Sequence, residues 1–170
     1  NLSLTLSHSA APLRDATARI VGAVDVFRDV TDSHRALQEL QRAEEHFRLL
    51  VEGTTDYAIF MLDKSGHIVS WNPGAERILG YRKADIVGSH VSTFFTPEDR
   101  EKGEPQRLLR QAMLDGRTEE DSWRVRKDGQ RFWCTGVMGA LHDAEGRVQG
   151  FVEIMRDNTE RRLAEQNAFY

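Results

Sequence analysis

The sequence predicts an α+β fold: an antiparallel sheet with helices on it, preceded by a helical linker. Three observations carry this. Strand-length apolar runs stand at both ends of residues 51–158, whose middle holds helix start and stop signals. Residues 13–36 align with 141–164 at an offset of 128, and ten of those 24 positions are identical. Between the two copies, Ala36, Leu40, Ala43, Phe47 and Leu50 recur with the 4, 3, 4, 3 spacing of a heptad.

Taken in order, residues 2–7 alternate Leu2, Leu4 and Leu6 with Ser3, Thr5 and Ser7, and with 19–28 they suit a hairpin that lacks the rest of its sheet. Ala18 stands where the second copy has Gly146, so this first turn is expected to be strained or differently shaped. The stretch 32–50, rich in Glu, Gln and Arg, reads as a helix. Its apolar stripe is expected to pair with a second copy of the chain as a homodimer, the rival being a lone amphipathic helix packed on its own domain.

Tyr57 to Asp63 is a strand-length run that turns at Lys64-Ser65-Gly66 into a second run, His67 to Trp71, which reads as a hairpin. Asn72 before Pro73 is a helix start, and Gly80 ends that short helix. Thr96, Pro97 and Asp99 repeat the signal, and Leu108, Leu109, Ala112 and Met113 mark one face of a helix that stops at Gly116. From Ser122 onward, three runs separated by Asp128-Gly129 and Gly146 predict three closing antiparallel strands.

Composition narrows the function classes. With 23 Lys plus Arg against 27 Asp plus Glu, the net charge of −4 speaks against a nucleic-acid partner. The single cysteine, Cys134, can form neither an internal disulfide nor a four-thiolate metal site, and fits a reducing compartment. No apolar run reaches the roughly 20 residues that span a bilayer, so a cytoplasmic location is expected, with any membrane anchor elsewhere in the parent protein. Asn1 in place of Met suggests a piece of such a parent.

The pattern Gly66-x-Ile68-x-x-x-Asn72-x-x-Ala75-Glu76-x-Ile78-Leu79-Gly80-Tyr81 resembles the PAS domains of bacterial sensory proteins. So do Arg126-Lys127-Asp128-Gly129 and the closing Arg156-Asp157-Asn158-Thr159-Glu160-Arg161. The resemblance implies a five-stranded antiparallel sheet in the order 2-1-5-4-3, with helices over one face enclosing a pocket. Because Asp157-x-Thr159 recurs as Asp29-x-Thr31, residues 1–31 look like the last strands of a preceding, truncated PAS domain. The expected organisation is then 1–31 upstream strands, 32–50 coiled-coil linker, 51–158 PAS domain and 159–170 the start of an exit helix.

PAS relatives hold flavin, haem or small metabolites, so the cofactor is left unknown and each is weighed on residues. The flavin-binding light sensors carry Gly-x-Asn-Cys-Arg-Phe-Leu-Gln, whereas this chain has Gly88-Ser89-His90-Val91-Ser92-Thr93-Phe94, with Val91 at the adduct-forming position. Cysteinyl-flavin chemistry is therefore not expected, and Cys134 reads as a small buried apolar residue. Haem needs an axial imidazole; His90 is the one candidate near a helical wall, and haem is not favoured. Trp71, Phe94, Phe95, Trp123, Phe132 and Trp133 are the aromatic candidates to line a pocket for a small molecule, with Asn72 and Arg124 as polar ones. Strand alternation allows only one of Phe132 and Trp133 to face inward.

Three other motifs lead nowhere chemically. His34 lacks the acid and Arg-x-Pro that follow a kinase phosphoacceptor histidine, Glu119-Glu120-Asp121 reads as a solvated acidic edge, and Arg124, Arg126 and Lys127 as a hairpin surface. No motif brings nucleophile, base and orienting group together, so no enzyme is expected. The resemblance implies a sensory and dimerisation module of a signalling protein whose effector is a histidine kinase or a cyclic-dinucleotide enzyme. It relays a structural signal through flanking helices, with Asp157, Thr159, Asp29 and Thr31 as signal-transfer residues. The alternative is a ligand-free PAS spacer that only sets dimer geometry.

Overall fold

The computed structural model describes residues 3–168 and divides into two units, one ending at Arg48 and one beginning at Leu49. Leu2 of the first alternation lies outside the described residues. In the first unit, β1 (Leu6–Arg14) and β2 (Ile20–Asp29) form an antiparallel hairpin, followed by the helix α1 (Thr31–Gly53), which runs on into the second unit. Asp15 makes the turn: its carboxylate accepts the backbone N–H groups of Thr17 and Arg19. Ala18 adopts the left-handed φ of 65° that the turn demands, so the strain is real and the shape unchanged. Ala36, Leu40, Ala43, Phe47 and Leu50 are all exposed on α1.

The second unit contains β3 (Ala58–Asp63), α2 (Pro73–Leu79), α3 (Lys83–Ile86), a 3₁₀ turn at Val91–Phe94, α4 (Pro97–Glu101) and α5 (Glu104–Asp115). It closes with β4 (Arg117–Val125), β5 (Arg131–His142), β6 (Val148–Asp157) and the exit helix α6 (Thr159–Asn167). Asn72 caps α2 by accepting the Ala75 N–H, with proline at the first helical position and Gly80 in a left-handed C-cap. Among the described residues its sheet is antiparallel with four strands in the order β3-β6-β5-β4.

The fifth strand expected at 67–71 is therefore corrected to two isolated bridges, Leu62 with Ile68 and His67 with His90. The ladder stops short there: Asp63 N–H bonds the His67 carbonyl and Val69 N–H the Met61 carbonyl, but beyond them Ser70 Oγ accepts the Met61 N–H and Asn72 Oδ1 accepts the Ile59 N–H. β4 also begins five residues earlier than Ser122, directly after the Gly116 cap of α5.

Period-two alternation decides which sheet face is buried. Phe60 and Leu62 of β3, Phe132 and Cys134 of β5, and Phe151 and Met155 of β6 all point into the core, where α2 packs on β3 and α5 on β4 and β5. Phe60, Phe94, Phe95, Phe132 and Phe151 are each essentially inaccessible, and burying such a side chain stabilises by about 1.5–3 kcal/mol. Gly150 allows β6 to lie close on β3, because a Cβ there would meet the Leu62 carbonyl oxygen at 2.2 Å.

Candidate functional site

The interior between sheet and helices is filled by aromatic rings. Trp71 and Phe94 stand 5.0 and 5.7 Å from Phe60, ring to ring, and Tyr81 is 5.8 Å from Phe94. The Trp71 indole donates to the Tyr81 carbonyl at 2.9 Å, which satisfies its only polar atom. Trp71, Phe94, Phe95 and Phe132 therefore come together as a packed core.

Two other aromatic candidates do not join them. Trp123 and Trp133 are register partners on the opposite face of the sheet, edge to face at 5.4 Å. The Arg162 guanidinium of α6 lies 3.5 Å over the Trp133 ring. A groove of about 430 Å³ opens beside them, lined by Thr135, Asn158 and Glu165 among others.

Asn72 is spent on structure. Its Oδ1 accepts from Ile59 and Ala75 at 2.9 and 2.8 Å, and its Nδ2 donates to the carbonyls of Val51, Thr54 and Tyr57. It ties the end of α1 to β3 and α2. His90 caps the 3₁₀ turn, its Nδ1 accepting the Ser92 N–H, and its Nε2 faces Gly66, where an added Cβ would stand 2.8 Å away.

Arg124 is buried, with its guanidinium 3.8 Å over the Phe95 ring and ion-paired to Glu120. Ser122 donates to the same Glu120 carboxylate at 2.7 Å, and Arg107 of α5 approaches it at 3.5 Å. The expected acidic edge thus has one inward member, Glu120, between exposed Glu119 and Asp121. Cys134 is buried, and burial pushes its thiol up to about 12. Glu153 on β6 also lies in this interior, and burial pushes its carboxyl up to about 8. Sequence reasoning missed it, although its place midway between Phe151 and Met155 on one strand face was a usable signal.

The junction between β6 and α6 is held by side-chain bonds from three elements. Asp157 Oδ1 accepts the Thr159 N–H at 2.9 Å and its hydroxyl at 2.6 Å, and Thr159 Oγ1 in turn accepts the Trp133 N–H at 2.9 Å. Arg126, placed by sequence reasoning on a hairpin surface, instead reaches inward. It donates to Asp157 and to the Ile78 carbonyl at the end of α2, and lies 4.3 Å over the Phe132 ring. Burial pushes the Asp157 carboxyl up, but the bonds from Thr159 and Arg126 outweigh it and hold it below the usual range. In the first unit Asp29 and Thr31 make the same pair of bonds, at 2.9 and 2.6 Å, and Thr31 Oγ1 accepts the Thr5 N–H at 2.9 Å.

The family profile described as "PAS domain" matches residues 56–160. The chain belongs to the PAS family. Two-component system protein A of Emericella nidulans is 44% identical over 121 residues, which are 71% of this chain and 18% of that protein. Two-component sensor PprA of Pseudomonas aeruginosa is 29% identical over 167 residues, 95% of this chain and 17% of its own length. The chain thus spans less than a fifth of either curated relative. Among solved structures, the PAS domain of a protein from Colwellia psychrerythraea superposes with a TM-score of 0.64 at 24% identity, covering 70% of this chain and 98% of that one. The α+β PAS fold and a place in signal transduction follow from these likenesses. No helix among the described residues is long and apolar enough to cross a membrane.

Proposed function

We propose that this chain is a non-enzymatic sensory and dimerisation module of a cytoplasmic signalling protein, passing conformational change from the PAS core to a histidine kinase or cyclic-dinucleotide effector through its flanking helices. The observation that carries the reading is the Arg126–Asp157–Thr159 junction. One guanidinium links the end of α2 to the end of β6, and Asp157 links β6 to the first residue of the exit helix. A shift of α2 or β4 that moved Arg126 would reach α6 without passing through solvent-exposed loops. The repeated Asp29–Thr31 tether supports reading residues 1–31 as strands of a second PAS unit whose own exit helix is α1.

The exposed stripe Ala36, Leu40, Ala43, Phe47 and Leu50 supports pairing of α1 with its copy in a second chain. Leu40→Glu is expected to weaken dimerisation by tenfold or more in sedimentation, and a strictly monomeric wild type at micromolar concentration counts against the pairing. Asp157→Ala tests the relay in the full-length protein. It should destabilise the junction by about 0.5–2 kcal/mol and change basal or stimulated effector output while the PAS core stays folded. Unaltered output in a folded variant reduces Asp157 to a helix cap.

A second reading, a ligand-free PAS spacer, is supported by the packed rings of Phe60, Trp71 and Phe94 and by the fully bonded Asn72. Native mass spectrometry separates the two: a retained small molecule supports the sensor, and a bare chain the spacer.

A further inference from the structure

Glu153 takes no part in the junction, yet it is the least expected side chain of the interior. It is only 5% exposed, and its Oε2 is buried without a hydrogen-bond partner among the described residues. Its register partner on β5 is Met138, and its carboxyl reaches diagonally into space left by Gly136: Glu153 Oε1 is 3.1 Å from where a Gly136 Cβ would stand, and Cys134 Sγ is 3.8 Å from the same point. The next strand places Glu120 opposite Gly136, so the carboxyl of Glu153 lies over the small residue toward β4, whose Glu120 pairs with the buried Arg124.

The surrounding groups leave it short of positive charge. β4 contributes Glu120 and Arg124, β5 contributes Cys134, and β6 itself carries Asp157 further along the same face. From α5, Arg107 reaches Glu120 and is bonded to Glu104, while β3 offers only the phenyl ring of Phe60 at the register position beside Glu153. Arg124 is the buried cation, and Glu120 already holds it. An ionised Glu153 would be a buried anion claiming the guanidinium that the partly exposed Glu120 holds, which is costly unless the pair rearranges.

We propose that Glu153, Arg124 and Glu120 form a proton-binding site inside the sheet: neutral Glu153 leaves Arg124 to Glu120, and ionised Glu153 competes with Glu120 for it. The proton passes between the Glu153 carboxyl and water, and no other covalent bond changes. Burial holds the carboxyl at about 8 against an ordinary 4.5, with the pull of Arg124 too weak to offset it. A carboxyl whose folded-state pKa lies above its unfolded value favours the fold when protonated. Its contribution is therefore complete below 4.5 and is lost as pH rises through about 8. The site sits on the two strands that carry the junction, Glu153 four residues before Asp157 and Arg124 two before Arg126. It stands whether or not that junction relays a signal.

The test is an NMR titration of the full chain, ¹³C-labelled at Glu carboxyls and ¹⁵N-labelled at Arg, from about pH 5 to about pH 10. Glu153 should titrate with a midpoint near 8, and the Arg124 side-chain resonances should move with the same midpoint. Glu153→Gln should abolish the Arg124 transition and flatten the fall in melting temperature across that range. Glu120→Gln, which frees Arg124, should lower the Glu153 midpoint by at least one pH unit and serves if the first variant does not fold. A Glu153 midpoint in the ordinary carboxyl range, or Arg124 resonances that stay still while Glu153 ionises, would overturn the proposal.

Discussion

The chain contains one hairpin twice, and the two copies differ in what lies beside them. β1–β2 and β5–β6 share the Asp-initiated turn, with Asp15 and Asp143 each donating its N–H to the carbonyl four residues on at 2.9 Å. Both break register at the matching place, after Leu13 and after Leu141. Both end in the same Asp-x-Thr tether to a helix. Yet Phe151 is fully buried while Phe27, on the first hairpin, is 62% exposed. Turn, irregularity and tether are thus local properties of some thirty residues, as the ten shared identities suggest. Burial is supplied by β3 and β4, which flank the second copy only.

The largest effect that would break this contrast is in the core. Phe151→Ala should cost about 3–5 kcal/mol in urea unfolding, whereas Phe27→Ala should stay within about 0.5 kcal/mol. A loss at Phe27 approaching that at Phe151 would mean that the first hairpin is covered in solution. Next come the paired glycines. Gly150→Ala drives a Cβ into the Leu62 carbonyl and should cost about 1–3 kcal/mol or more. Gly22→Ala meets only the Leu13 side chain at 3.7 Å and should be nearly neutral by the same measurement. The smallest difference lies in the turns. Ala18→Gly relieves a left-handed alanine and should slow amide exchange in β1 and β2, a gain of up to about 1 kcal/mol. Gly146→Ala should produce the opposite change in β5 and β6.

The same contrast explains what could be read from the sequence. The β5–β6 hairpin and the caps at Asn72 and Thr96 are written in residues close in sequence, so local rules found them. The first strand, expected at 2–7, instead runs from Leu6 to Arg14, because the alternation of leucines carries no register. The segment 67–71 has the apolar pattern of a strand, but Ser70 and Asn72, two residues apart, take the Met61 and Ile59 donors of β3 that would extend the ladder. No local rule shows that competition. Alternation separated Phe132 from Trp133 correctly, whereas Trp123 could be placed only once its register opposite Trp133 was known. Arg126 and Glu153 were harder still. The partners of Arg126, Ile78 and Asp157, lie on other elements, and Glu153 has no hydrogen-bond partner for its Oε2 among the described residues, while charge on a strand reads by default as surface.

The Asp-x-Thr tether has a geometric consequence. An α-helix advances about 100° per residue, so fixing its first residue against the hairpin fixes the compass bearing of every side chain along it. Thr159 locks that first residue to β5 through its hydroxyl, and Thr31 locks its own to Thr5, just before β1. The tether works as a keyway on a shaft: α1 and α6 leave their hairpins with the same angular phase. Under the proposed relay, a twist entering either hairpin would emerge as rotation of its helix.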